Sequence, residues 1–466
     1  MELDPLLLSR YQFAFVVSFH AIFPVFTIGL ASYIAVLEGL FFKTGNPAWE
    51  RLSRFWIKVF AVVFAMGVVT GIVMAFQFGT NWSNFSQASA NFLGPVLSYE
   101  AVTAFFLEAV FLGILLFGRN KVPRGVHLFS AIMVAFGTFL SSFWILSANS
   151  WMQTPAGIEM RDGVVYVTSW LEALFNPSFP YRFAHMVMAS FLTGGFVVAG
   201  VSAWYLLRGR EVEANKKALS MCLWLVLFIA PAQAWVGDLH GLNTLEYQPV
   251  KVSAMEGLWE TGGNVPLLLF AIPDQAAQTN HFEIGIPNLA SWILTHSADG
   301  VLPGMNEVPL AEQPPVGIVF WSFRIMVGIG LLMIGFALAG LLLRKGGRFA
   351  TNPLFLKGLV AMSVTPFVAV LAGWFVTEVG RYPWLLWGEI SLAQGLTPSL
   401  TGGMALFTLI GYVLVYALVF YAGVYYLMRI FSVGLEGLDA EESESAKTAK
   451  RPWSAADVSL ETGASS

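Results

Sequence analysis

Residues 373–384 read GWFVTEVGRYPW and end a long apolar run with a carboxylate, Glu378, and a guanidinium, Arg381. Trp374 and Trp384 stand on either side. His20, Glu100, Glu108, His185, Arg324 and Met326 also lie inside or at the mouth of apolar runs. An imidazole and a thioether can ligate heme iron axially, and a His/Met pair suits an electron-transferring heme. Carboxylates among apolar residues suit proton delivery. Arginines suit propionates or charged intermediates. Taken singly, each residue has a plainer role. A histidine can bond a neighbouring carbonyl, Met326 can fill a core gap, and Glu378 with Arg381 can be an interfacial ion pair beside an aromatic belt. Which role holds depends on the elements that carry these residues and on whether those elements bring them together.

The chain has 466 residues, of which 56% are hydrophobic and 12% charged. That is about half the charged fraction of an ordinary soluble protein, too little to coat one of this size. A single cysteine, Cys222, excludes an internal disulfide and a thiolate cluster. The net charge of −4 argues against a nucleic-acid partner. A bilayer core about 30 Å thick needs about 20 apolar residues in a helix. Runs at 13–40, 56–78, 95–117, 126–146, 184–207, 218–236, 316–343, 358–376 and 403–428 meet that length. The predicted fold is therefore an all-α integral membrane protein of about nine transmembrane helices. The first run lacks a small-residue cleavage pattern and reads as a retained anchor.

The connections predict orientation. The first holds Lys43, Arg51 and Arg54, with Lys58 just beyond; the third holds Arg119, Lys121 and Arg124. The fifth holds Arg208, Arg210, Lys216 and Lys217, and the seventh Arg344, Lys345, Arg348 and Lys357. Even-numbered connections are poor in Lys and Arg, and the long sixth, 238–315, has Lys251 alone. Basic connections stay in the cytoplasm, so the N-terminus is expected outside and the C-terminus inside. Residues 1–435 form the membrane unit with 238–315 as an extracytoplasmic loop, and 436–466 read as a disordered cytoplasmic tail. With this orientation His20, Glu100, His185, Met326 and Glu378, from five different spans, fall near the outer face. Glu108 lies about 12 Å deeper than Glu100.

At these residues the sequence resembles subunit I of cytochrome bd-type quinol oxidases. The matching stretches are RYQFAFVVSFHAIFP around His20, SYEAVTAFFLEA around Glu100 and Glu108, SSFWILSANSWMQTP at 141–155, YRFAHM around His185, FWSFRIMVGIG around Met326, and GWFVTEVGRYPW. The resemblance implies a terminal oxidase that takes electrons from quinol near the outer face. It would reduce O2 to water with cytoplasmic protons and build proton motive force without pumping. It implies His185 and Met326 as axial ligands of a low-spin heme b. His20 and Glu378 would each serve one iron of a high-spin pair, a heme b and a heme d, the last replaceable by heme b. Trp374, Arg324 and Arg381 would neighbour the hemes. Glu108 followed by Glu100 would deliver protons, and Lys251 and Glu256 would hold quinol, although from the sequence alone both look like ordinary solvated charges. Implied partners are a second large membrane subunit and a small single-span one, in a prokaryotic cytoplasmic membrane.

Two features depart from the common pattern. Tyr382 stands where the signature usually has Gln, and the outer loop matches the short-loop group, so the quinone species stays open. His281 and His296 in that loop read as surface histidines. A heme-free ion or solute transporter would call for repeated halves and broken helices near the midplane, and the sequence holds no repeat. A quinol reductase that does not use oxygen would keep His185 and Met326 without needing His20 and Glu378.

Overall fold

Three of the long helices start alike. Asp4, Asn46 and Asn352 each turn a side-chain oxygen onto the backbone N–H two residues on, and a proline follows at the first helical position. The cap satisfies an orphan donor, and proline has no N–H to satisfy. In the computed structural model, residues 3–449 are described. Among them nine helices are long and apolar enough to cross a membrane. They are α1 (Pro5–Thr44), α2 (Pro47–Thr80), α3 (Ser83–Phe117), α4 (Arg124–Gln153), α5 (Phe179–Leu207), α6 (Val212–Tyr247), α7 (Val316–Leu343), α8 (Pro353–Val379) and α9 (Gly402–Leu435). The expected spans are all present; the seventh matches its run, and the others carry helical extensions at one or both ends. Small antiparallel hairpins, which an all-α reading did not foresee, decorate the even-numbered connections: β1 (Ile158–Arg161) with β2 (Val164–Val167), β3 (Leu267–Asp274) with β4 (Thr279–Ile286), and β5 (Trp384–Leu386) with β6 (Ile390–Ser391). A hairpin pairs its own backbone groups while it covers helix ends.

α1 is the central post, packed against α2, α4, α5 and α9. Its crossing with α5 is close because neither helix has a side chain there. A Cβ on Gly29 would stand 2.2 Å from the Ser190 carbonyl oxygen, and one on Gly194 would stand 2.9 Å from Gly29 carbon. Small residues allow this approach, which gives van der Waals contact in place of a hydrophobic drive in lipid.

The basic connections gather at one end. Arg119 reaches Glu38 of α1 and lies 3.8 Å from Glu50 of α2. Lys217 lies 5.4 Å over the Trp49 ring, and Arg210 donates to the carbonyls of Ser432 and Val433 at 3.1 and 3.0 Å. At the other end the Thr397 N–H bonds the Asn81 carbonyl and the Trp387 N–H bonds the Met152 carbonyl, both at 3.0 Å.

Two boundaries differ from expectation. Residues 238–247, expected in the outer loop, continue α6, and Gly241 within them does not interrupt it. Gln248, forced from helical geometry by the following proline, has φ −140° and ψ 59°. A short loop helix, Pro249–Glu256, follows. The segment from 436, expected disordered, is carried as helix to Ala449 after a break at Gly434 (φ 75°). Its Glu, Ala and Leu residues are good helix formers. Residues 450–466 of that tail lie outside the described residues.

Candidate functional site

α4 passes four of the sequence-predicted residues in turn. A Cβ on Gly137 would fall 2.4 Å from Glu108 Cγ, so that glycine makes the berth for Glu108. One turn on, Ser141 Oγ donates to Glu100 Oε1 at 2.8 Å. Further along, Asn149 Nδ2 donates to Glu378 Oε1 at 2.8 Å. Gln153 donates to the same oxygen at 3.4 Å, and its own Oε1 accepts from Lys251 Nζ at 2.7 Å.

Glu100 and Glu108 share a face of α3 for a reason that spacing alone does not supply. Eight residues of unbroken α-helix turn through about 800°, leaving the two about 80° apart. Residues Ala101–Phe105 form a π-turn between them. Such a bulge acts as one inserted residue, so the pair stands as i and i+7 would. Trp144 Nε1 of α4 donates to Thr103 Oγ1 within the turn at 2.9 Å.

His20 Nδ1 lies 2.9 Å from Thr70 Oγ1. That hydroxyl spends its proton on the Met66 carbonyl at 2.9 Å, so it accepts from Nδ1–H. Nε2 is then the unprotonated nitrogen, the form a metal ligand needs. Glycines face three of the candidate ligands. A Cβ on Gly71 would stand 3.1 Å from His20, on Gly237 3.2 Å from His185, and on Gly373 3.0 Å from the Met326 sulfur.

Around Glu378 and His185 several buried polar atoms have no protein partner. Arg381 gives one nitrogen to Glu378 Oε2 at 2.5 Å, while its Nε and Nη1 have none. Arg182 Nε, His185 Nδ1, His240 Nε2 and Trp374 Nε1 are likewise unpartnered. The His185 and His240 rings meet edge to face at 5.9 Å. A buried guanidinium with unsatisfied N–H groups is costly, and Arg182 and Arg381 each keep such groups beside one site, where an anion would satisfy them. A heme brings two carboxylates and an iron that accepts imidazole, thioether or carboxylate. The residues present fit it.

The loop helix is folded against the bundle. Lys251 and Glu256, which look solvated in the sequence, are 2% and 5% exposed. They face different helices and form no single clamp. Lys251 Nζ donates to Gln153 Oε1 and Gln248 Oε1 at 2.7 Å and to the Thr377 carbonyl at 3.1 Å. Burial, then Arg182 and Arg381 nearby, push its pKa well below the usual lysine range. The three acceptors meanwhile match the three protons of an ammonium. Glu256 accepts from Arg324 Nη2 at 3.1 Å. Burial raises its pKa, with Arg324 opposing. Arg324, expected beside the hemes, spends its other nitrogens on the carbonyls of Met255 and Leu268. Tyr382 carries Arg10 over its ring at 4.8 Å. His281 and His296 are exposed, as expected.

Sequence reasoning missed Arg182, His240, Asn149 and Gln153. Three of them lie inside the quoted motifs YRFAHM and SSFWILSANSWMQTP, where their polar type in an apolar run was the signal. His240 lies in the part of α6 that the sequence reads as loop.

The family model for cytochrome bd terminal oxidase subunit I matches residues 8–435. The chain belongs to that family. It is 35% identical over 444 residues to the cytochrome bd ubiquinol oxidase subunit 1 of Bacillus subtilis (strain 168), covering 93% of this chain and 95% of that protein. It is 34% identical over 509 residues to the cytochrome bd-II ubiquinol oxidase subunit 1 of Escherichia coli (strain K12), covering 94% and 98%. The solved bd oxidase of Geobacillus thermodenitrificans superposes with a TM-score of 0.86 at 32% identity, over 92% of this chain and 99% of that one. As a member of the cytochrome bd subunit I family, with nine membrane-length helices among its described residues, the chain is a multi-pass membrane protein.

Proposed function

We propose that this chain is the heme-bearing catalytic subunit of a terminal quinol oxidase in a prokaryotic cytoplasmic membrane, with its basic end in the cytoplasm. It assembles with a second large membrane subunit and a small single-span one. It oxidises a ubiquinol or menaquinol near the outer face, reduces O2 to water with cytoplasmic protons, and generates proton motive force without pumping. The observation that carries this reading is the pair of partly unpartnered buried guanidiniums, Arg182 and Arg381, beside Glu378 and His185.

His185 and Met326 would hold the iron of a low-spin heme b, and His20 and Glu378 the irons of a high-spin heme b and a heme d or second b. Bound there, these groups supply one-electron transfer and the reduction of oxygen. The chain's own residues do the rest. Thr70 keeps the Nε2 lone pair of His20 free. Asn149 and Arg381 hold the two oxygens of Glu378 in fixed directions. Trp374 lines the pocket beside them. Glu256, poised by Arg324, accepts a quinol proton, and Lys251 ties the loop helix to the floor under Glu378. Glu108 passes protons to Glu100 along α4.

The test is a reduced-minus-oxidised visible spectrum of the purified complex, with oxygen uptake driven by quinol. A b-type band with a far-red chlorin band, and quinol-dependent oxygen uptake, are expected. Folded complex without heme would overturn the reading. Hemes without oxygen uptake would point to a reductase that does not use oxygen.

A further inference from the structure

A second buried polar cluster lies at the basic end of the bundle, away from the site above. Glu38 of α1 and His127 of α4 are 3% and 2% exposed. Glu38 Oε2 lies 3.0 Å from His127 Nδ1, and its Oε1 accepts from Arg119 and from Ser53 of α2. His127 Nε2 lies 3.1 Å from the Leu115 carbonyl of α3. A cavity reaches this cluster, lined by Glu38, Glu50, Arg119, Asn120, Arg124 and His127. Arg124 stacks on the Phe41 ring at 4.8 Å.

Both ring nitrogens of His127 therefore face oxygens, yet a neutral imidazole has a single N–H. For both bonds to form, the pair must hold one proton more than a neutral imidazole and a carboxylate. That proton sits either on the ring or on Glu38. An imidazolium–carboxylate pair carries that proton, and here a cavity opens onto the pair. The position on α4 adds direction. His127, Ser130, Val134, Gly137 and Ser141 fall within one stripe about 100° wide, and that stripe carries Glu108 on Gly137 and Glu100 on Ser141. About 15 Å of helix separates His127 from Gly137.

We propose that Glu38 and His127 form the cytoplasmic proton-loading site of this protein, feeding Glu108 along the Ser130 face of α4. The proposal rests on the oxidase reading. The loaded pair releases its extra proton, through waters past Ser130, to the Glu108 carboxylate, and one proton from water in the cavity then reloads it. Arg119 holds Glu38 in place, and Glu50 lines the cavity 3.8 Å from Arg119. These are positioning and relay groups that act through Glu108.

The experiment uses the complete oxidase in sealed vesicles, as wild type, E38Q, H127Q and the conservative E38D. Heme spectra, quinol KM and kcat, the pH profile on the basic side and the solvent deuterium effect are measured. E38Q and H127Q are expected to keep the spectra and KM, and to lose about tenfold in kcat. Their turnover should fall at lower pH than wild type, their deuterium effect should rise, and E38D should recover most of the rate. Wild-type kcat, pH profile and isotope effect in variants with full heme would overturn the proposal. So would loss of heme in all three variants, which would mark the cluster as a structural tie. If the wild type itself takes up no oxygen with quinol, the oxidase reading falls and this one with it.

Discussion

Met326 illustrates how little a residue type says on its own. Methionine is a routine gap-filler, but here its sulfur faces Gly373, a position with no side chain. M326L keeps the volume and removes the sulfur, so the low-spin band is expected to shift or vanish while the high-spin bands persist. An unchanged low-spin spectrum would remove Met326 from the ligand set. Glu256 makes a pH prediction. Its raised pKa means that the folded protein holds this proton more tightly than the ordinary value of 4.5 would allow. The neutral form is favoured in the fold at low pH, that advantage is lost as pH rises through the folded pKa, and the carboxylate base appears only above it. Quinol oxidation should therefore rise with pH along one limb, and E256Q should flatten that limb while lowering kcat about tenfold or more. A profile with the limb intact in E256Q would assign it to another group.

At the level of elements, α4 and the π-turn of α3 do the positioning. Replacing Gly137 with alanine places a methyl 2.4 Å from Glu108 Cγ, so the carboxylate must move. Turnover is expected to drop about tenfold, ~1.4 kcal/mol in barrier, with heme content unchanged. E108Q should slow oxygen reduction with the same unchanged spectrum. The π-turn can be tested by length. Deleting Val102 converts the bulge to α-helix and leaves Glu100 and Glu108 facing alike, whereas inserting one alanine after Val102 rotates Glu108 by about 100°. Oxygen uptake by the two variants should rank deletion above insertion. The reverse order would mean that the turn serves something other than the register of the two acids.

For the whole molecule, the decisive quantity is the asymmetry of charge between its ends. Arg119, Arg210 and Lys217 are bound into one end by Glu38, by the carbonyls of Ser432 and Val433, and by Trp49. Basic connections stay with the cytoplasm, so a cysteine introduced at Lys345 should be labelled by an impermeant reagent only from the cytoplasmic side. One introduced at Glu283 should be labelled only from the outer side. Labelling of Lys345→Cys in intact cells would invert the orientation and send the proton route to the wrong compartment.

The sequence by itself determined the class of fold, because apolar length and charge bias are one-dimensional properties that a bilayer reads directly. It also singled out most of the candidate residues, since ionisable groups are rare in apolar spans and visible wherever they occur. Side-chain partnerships were beyond it. Lys251 and Glu256 look like solvated loop charges until Pro249 starts a new helix and packs it under α7 and α8. Arg182 acquires meaning only when α5 lies beside Arg381 and Glu378, and His240 only when α6 sets it beside Arg182 and His185. The alignment of Glu100 with Glu108 depends on a π-turn, and the berth of Glu108 on a glycine in another helix. Those features come from close packing between segments far apart in the chain, and such packing leaves no local pattern to read.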